Sequence, residues 1–477
     1  MSTRRTPAVV AVGLLSAVGL CLAVAITPAS AAAVPFSIAT SPALSPPFAA
    51  GTPNYTVACA GHPTTTVAVT GTGASVVGGR HVQSGATLRA PLVPGQSVKI
   101  SGGGHDYFIR CLPADFPKYT ASVSGTPQTQ GLLVTASTSF KAAPGHYVVA
   151  FDAHGVPVWW YRDAMVPIDA KFFGPSTIGW DSGNAAATGG TFTLRGLNGK
   201  LKHVVGGGSL VLDEHDVQRL PNGNYLAILA VPHTVVNLSA WGLSDHAQIV
   251  DNVIVELNAD NHVVWSWSVA AHIDVADANI NWHNQAPDVV HMNSIQFVGN
   301  NEILVSVRHF DAVYAIDMNT GAILWKLGGS PTAESLTVPH DQYTSTNPAA
   351  LFSGQHDARM QSDGTLTLQD NGTLPLRPVR ALRFSINTVK RTATELAQIT
   401  DSRMGPAFCC GGVDRLSSGD WLASWGTAEY ATELTPSGVP VLTVSYSPYF
   451  SYRVAPVTVP MSALRAGMDA MVSPLHF

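Results

Sequence analysis

One spacing, read four times, constrains the fold of this chain more than any other feature. His215 opens "HDVQRLPNGNYL" and Gly223 follows eight residues on; His291 opens "HMNSIQFVGNNEIL" and reaches Gly299. His356 opens "HDARMQSDGTLTL" and reaches Gly364, and Gly411 opens "GGVDRLSSGDWL" and reaches Gly419. A strand that runs into a tight turn at a Gly and returns as a second strand accounts for every copy. A second unit recurs around these: a strand, an Asp or Asn, a Gly, then a strand ending in Trp. It stands as "YVVAFDAHGVPVWW", "VIVELNADNHVVWSW" and "VYAIDMNTGAILWKLGG", with looser copies in "FTLRGLNGKLKHV", "ALRFSINTVKRTATEL" and "YATELTPSGVPVLTV". Six copies at a period of roughly 40–60 residues predict an all-β chain closed as a six-bladed β-propeller, its Trp residues packed between blades.

Composition agrees with that reading. With 43 Gly, 32 Pro and only 12% charged residues, the chain suits many short strands joined by turns. A net charge of −5 and no basic cluster argue against nucleic acid as a partner. Residues 34–115 alternate apolar and polar positions, as in "TTTVAVTGTG" and "GQSVKISGGGHDYFIRC", and predict a small N-terminal β-sandwich. Residues 116–130 read as a linker and residues 131–477 as the propeller. Residues 1–33 read as a signal peptide: Arg4 and Arg5, an apolar run from Ala8 to Ile26, then Ala29-Ser30-Ala31. A secreted, extracellular protein with no stable membrane insertion after cleavage is expected. In an oxidising compartment Cys59 and Cys111 are expected to pair, while the adjacent Cys409 and Cys410 are placed to close a vicinal disulfide. No CxxC or HxxxH spacing supports a metal site.

Inner strands of a propeller line its central channel, so three His at equivalent strand heads converge on one mouth. Folding about Gly299 brings Arg308 and His309 back toward His291 and Asn293; folding about Gly364 brings Asp370 and Asn371 beside His356. A repeat that needed only a cap would favour Ser, Asp or Asn, so the His trio predicts a functional site. Three chemistries fit. The trio binds zinc or copper, with Asp216 and Asp357 fixing the second ring nitrogens, although Arg308 beside a dication is unfavourable. Alternatively, His, Arg and Asn handle a transferring sulfuryl or phosphoryl group, Arg offering its planar fork to two oxygens and one neutral His attacking. Third, the mouth binds an acidic ligand without turnover.

Through "HDVQRLPNGN", "HMNSIQF", "ILVSVRHF", "AIDMNTGAILWKLGG" and "GQHDARMQSDGTLTLQDNG" the chain resembles the bacterial arylsulfate sulfotransferases over roughly residues 130–450, in their shorter actinobacterial branch. These are secreted six-bladed propellers that need no phosphoadenosine phosphosulfate. The resemblance implies transfer of sulfate from an aryl sulfate ester to a phenol through a sulfohistidine, with no cofactor. It implies that His356 is the nucleophile, that His215 and His291 are the acid/base and sulfate-binding histidines, and that Asn293 and Arg308 bind the sulfuryl oxygens. His309 and Asn371 are candidate substrate-binding neighbours; Trp282, His283 and Tyr343 are loop candidates for the acceptor.

Two rival enzymes are tested by absence. A formylglycine sulfatase needs C-x-P-x-R, and the run from Cys111 has Asp115 where Arg is required. A phosphosulfate-dependent enzyme would want a phosphate-cradling loop, and no GxxxxGK[ST] occurs. The non-enzyme alternative is a secreted propeller that binds an anionic or aromatic ligand.

Overall fold

The structure is a computed structural model that describes residues 35–62, 64–71, 75–136, 145–182, 190–339 and 351–475. The expected signal peptide and Tyr343 lie outside the described residues. What is described is nearly all β. Five four-stranded sheets and one five-stranded sheet follow one another from residue 118 to residue 456, after a three-stranded and a five-stranded sheet built from residues 37–111.

The two N-terminal sheets share one apolar core of Val57, Val67, Val69, Val98, Ile100 and Ile109. It forms because their strands alternate, as in Thr65–Thr70, where every second side chain is buried. The Cys59–Cys111 disulfide lies in this core. Burial of both sulfurs alongside Leu92 leaves the bond inaccessible to solvent.

In the remaining sheets all pairings are antiparallel and, apart from two strands distant in sequence, join strands that are consecutive in sequence. The strand Met292–Gly299 pairs with Glu302–Val307, that with Ala312–Asp317, and that with Ile323–Gly328. The first strands of successive sheets pack side by side in cyclic order: Ile168–Phe172, Leu212–Arg219, Met292–Gly299, His356–Met360, Gly412–Arg415, Val454–Pro456, and back to Ile168–Phe172. Because sheets meet face to face, their middle strands are buried on both sides, as in Thr365–Asp370. The repeated Trp residues bridge neighbouring sheets. The Trp159 indole donates to the Leu197 carbonyl at 2.7 Å, and Trp265 and Trp267 donate to Met318 and Gly321 at 2.8 and 2.9 Å.

Two strands distant in sequence close the ring. Val454–Pro456 completes the sheet of residues 131–163 by pairing with Leu132–Val134. Residues 116–130, read as a linker, contain the strand Lys118–Val123, which pairs with Leu442–Ser447. The helix Met461–Asp469 and the tail then return to the N-terminal sheets. There Asp469 pairs with Arg110 at 2.8 Å and the Gln96 amide donates to the Ser473 carbonyl at 2.8 Å.

The eight-residue spacing corresponds to a tight turn. Gly223, Gly299, Gly364 and Gly419 have φ between 79° and 98°, a region that L side chains avoid. Three of the four first strands start at or beside the opening residue, whereas the strand Leu212–Arg219 begins three residues ahead of His215; His215, His291 and His356 each stand eight residues before the turn glycine of their hairpin.

Candidate active site

His356 begins its strand and is 1% exposed. Its Nδ1–H donates to the Gly354 carbonyl at 2.9 Å and to Asn371 Oδ1 at 3.1 Å. That fixes the tautomer and leaves Nε2 a lone pair, which accepts the Cys410 backbone N–H at 3.1 Å. Burial, and then the charges of Arg308, His291 and His215, drive its pKa well below that of a free imidazole. His356 is a neutral base at neutral pH.

His215 has the opposite balance. Burial alone would lower its pKa, but the Asp213 carboxylate on Nδ1, aided by Glu214, outweighs it and pushes the imidazole up to about 9. His215 is therefore a cation at neutral pH. Its ring meets that of His291 edge-on at 4.8 Å between centroids. His291 donates from Nδ1 to Asp288 Oδ2 at 2.6 Å; burial still lowers its pKa, with His215 and Arg308 adding to the effect.

Folding about Gly299 does bring Arg308 back, its N–H donating to the His291 carbonyl at 2.9 Å. The Arg308 guanidinium is buried and lies 4.3 Å from the Trp282 ring centroid. Nη1 donates to His309 Nε2 and Nη2 to the Phe408 carbonyl, both at 2.8 Å, while Nε is buried with no hydrogen-bond partner among the described residues. Burial lowers this guanidinium to about 10, so it stays charged at neutral pH. His309 is stacked between Trp282 and His291, each at 4.7 Å. Burial, His291 and Arg308 push it down to about 3, so it is a neutral acceptor for Arg308.

Asn371 joins the cluster with both ends of its amide engaged: Oδ1 with His356 and Nδ2 with the Cys410 carbonyl at 3.0 Å. Asn293 sits one layer back. Its Nδ2 donates to the Gln355 carbonyl at 2.7 Å, and its Oδ1 is buried without a partner among the described residues. Asp370 faces away from His356 and takes Arg377 and Arg380, each at 2.7 Å. Cys409 and Cys410 form the vicinal disulfide at the same mouth. His283 stacks on Trp241 at 3.5 Å.

Asp216 and Asp357 do not orient the histidines. Both point to the other face of the strand heads, where Asp216 pairs with Lys171 and Arg359, and Asp357 with Arg359 and Arg453. The ring-nitrogen partners are Asp213, Asp288 and the Gly354 carbonyl, because an i+1 side chain on a strand faces away from residue i. A cavity of about 390 Å³ is lined by this charge network, including Asp169, Asp216, Asp357, Arg359 and Arg453, and by none of the histidines. Tyr452 was not anticipated. It heads the closing strand, with its ring 5.6 Å from His215 and 6.3 Å from His356.

Asp288, His291 and His309 lie close enough together for their ligand atoms to reach one ion, as do Asp213, Glu214 and His215. Both nitrogens of His309 are already committed, one of them to a guanidinium, and a dication there would face Arg308 directly. The donor set fits an anion better: a cationic imidazole, a buried guanidinium with an unfilled donor, and a neutral imidazole.

The described chain is thus a ring of β-sheets, nearly all β, with a buried His–Arg cluster on its inner strands. The model of the arylsulfotransferase (ASST) family matches residues 121–447. The chain belongs to this family, and its function is of the sulfotransferase type. No curated protein matches the chain. Among solved structures it is similar to a protein of unknown function from Bacteroides caccae, at 12% identity over 69% of this chain and 100% of that one, with a TM-score of 0.43. A putative 6-phosphogluconolactonase from Bacteroides fragilis shares 12% identity over 75% and 92% of the two chains, TM-score 0.36. The β-propeller domain of Cps50 (Swd1) from Myceliophteria thermophila shares 10% over 70% and 90%, TM-score 0.35. No helix among the described residues is long and apolar enough to cross a membrane.

Proposed function

We propose that this protein is an exported six-bladed propeller, preceded by a β-sandwich, that moves a sulfuryl group from an aryl sulfate ester to a phenol by a ping-pong reaction through sulfated His356. The observation that carries the reading is the split in protonation within one buried cluster. His356 is held neutral with Nε2 unprotonated, its lone pair on the Cys410 N–H until a sulfuryl group displaces that donor, while His215 is held cationic nearby. Two titratable groups whose surroundings push them apart assign a base and an acid.

Nε2 of His356 attacks sulfur, the bond from sulfur to the aryl oxygen breaks, and the departing phenolate takes the proton of His215. Net charge is conserved: the singly charged ester and the imidazolium become a neutral phenol, a neutral His215 and a zwitterionic sulfohistidine. Asn371 Oδ1 and the Gly354 carbonyl hold the Nδ1–H that the sulfated ring keeps. Arg308 is the donor to the sulfuryl oxygens, through the Nε left unpartnered. His291 lies between His215 and Arg308 and shares the sulfate-binding role. An acceptor phenol, deprotonated by neutral His215, then takes the group from His356. The chemistry asks for in-line positioning and neutralised oxygens rather than a cofactor.

The test is intact-mass analysis after brief exposure to p-nitrophenyl sulfate. A gain of one sulfuryl group mapped to His356 is expected. Release of p-nitrophenol by a His356→Ala protein at the original rate would refute the assignment.

A further inference from the structure

Residues 407–411 cross over the cluster, and five of their backbone N–H and C=O groups are tied to it. The Ala407 N–H donates to the Asn371 carbonyl at 2.9 Å and the Phe408 carbonyl accepts Arg308 Nη2 at 2.8 Å. The Cys410 N–H donates to His356 Nε2 at 3.1 Å, and the Cys410 carbonyl accepts the amides of Gln369 and Asn371, each at 3.0 Å. The Gly411 N–H donates to the Tyr452 carbonyl at 2.7 Å. One short segment thus reaches His356 twice, once on Nε2 and once through Asn371 on Nδ1, and reaches Arg308 as well.

Cys410 makes these contacts in a conformation that its side chain disfavours, with φ 68°. A non-Gly residue held in the left-handed region persists only where its surroundings over-determine it. Here the disulfide to Cys409 closes a small ring across the intervening peptide bond and removes most of the alternatives. Gly411 and Gly426 make room for the segment. A Cβ on Gly411 would meet Gln369 Nε2 at 2.0 Å, and one on Gly426 the Cys409 carbonyl oxygen at 2.6 Å.

We propose that the Cys409–Cys410 disulfide is a positioning group for sulfuryl transfer, holding residues 407–411 in the one backbone arrangement that keeps His356 in its Nδ1–H tautomer and Arg308 in register with it. The inference rests on the sulfuryl-transfer reading above. Opening the ring lets Cys410 leave its left-handed conformation, which withdraws its N–H from Nε2, releases the Asn371 amide and frees the guanidinium. Both sulfurs belong to half-buried residues, within reach of a small thiol. A dithiol reductant supplies two electrons and two protons to the S–S bond, giving two Cys thiols and the reagent's own disulfide. A disulfide oxidant reverses the step.

The experiment measures p-nitrophenol release by the full chain across pH, before and after treatment with dithiothreitol and again after reoxidation. Cys409→Ser/Cys410→Ser is run alongside, with and without reductant, so that any loss from opening Cys59–Cys111 is seen separately. The expected result is a fall in kcat of about tenfold or more, as for loss of near-attack geometry, with KM little changed and recovery on reoxidation. The acid limb moves to higher pH, since an N–H donated into the Nε2 lone pair opposes its protonation. A reduced enzyme and a double variant with unchanged kcat and acid limb would overturn the proposal. So would a faster reduced enzyme, which would make the segment a clamp. If oxidised protein neither releases phenol nor gains mass at His356, the transfer reading itself fails.

Discussion

His215 and His356 differ in charge at neutral pH because one faces a carboxylate and the other a carbonyl, an amide and a backbone N–H. The pH–rate profile should therefore be bell-shaped, rising as His356 loses its proton below the ordinary imidazole value and falling as His215 loses its own near 9. The stability signs agree. His215, raised in the folded state, contributes fully below its unfolded value and loses that contribution as pH rises through about 9. His356, depressed, contributes above its unfolded value and loses that contribution as pH falls. Asp213→Asn removes the carboxylate that overcomes burial, so the alkaline limb should move down by more than one pH unit in steady-state assays. An unmoved limb would mean that His215 is not the acid. Arg308→Ala removes the principal donor to the sulfuryl oxygens and should lower kcat by about 10²–10³-fold, as for loss of one oxyanion-type donor. Arg308→Lys, which lacks the planar fork and the Nε donor, should recover only part of that rate.

At the scale of the hairpin, the eight-residue register sets where each imidazole lies, and its two kinds of Gly behave differently. Gly299 has φ 98° and nothing within 4 Å of an added Cβ, so Gly299→Ala should cost only the left-handed strain, about 1–2 kcal/mol in chemical denaturation. Gly411 also has a positive φ, but its Cβ would strike Gln369 Nε2 at 2.0 Å and the backbone of Ser424 and Gly426 at 2.5 Å. Gly411→Ala should therefore destabilise at least twice as much and also slow turnover, because Gln369 holds the Cys410 carbonyl. Equal losses of stability in the two variants would count against this packing account. The same contrast explains why the fourth copy of the repeat opens with Gly instead of His. The His–Gly offset was legible in the sequence because local turn geometry sets it, and with it the meeting of His291 with Arg308 and of His356 with Asn371. Tyr452 was not legible, since its strand has no following hairpin; its partner is Gly131–Ala136, at the other end of the ring. Asp213 and Asp288 were missed for another reason. They reach the ring nitrogens from positions two and three residues before their histidines, whereas the neighbouring Asp216 and Asp357 turn to the opposite face.

Four sheets converge on Arg453, the residue just before the closing strand Val454–Pro456. Its guanidinium takes Asp169 at 2.7 Å, Asp357 at 3.0 Å and Asp216 at 3.6 Å, and it donates to the backbone carbonyls of His215 and Asn293. Lys171 and Arg359 complete the network. One side chain beside the last strand thus touches residues of the second, third, fourth and fifth sheets, so docking of that strand and closure of the ring depend on the same contacts. Replacing Arg453 with Met keeps much of the volume and leaves buried carboxylates short of a cation, an imbalance that typically costs about 3–5 kcal/mol. The loss should depend on pH in a definite direction. Burial already raises Asp169 above the usual carboxylate value despite its two cationic partners, and removing one of them raises it further. A carboxylate whose folded pKa is raised loses stability as pH rises, so the deficit of Arg453→Met relative to the parent should be largest near pH 8 and shrink toward pH 5. Urea unfolding of the two proteins at both pH values reads this directly, and the histidine cluster supplies a second readout. His215 and Asn293 lose the guanidinium on their carbonyls, so phenol release should fall even where the variant remains folded. Equal unfolding midpoints at pH 8 would show that the closing strand is held by its backbone pairing with Leu132–Val134 and not by the charges at the axis.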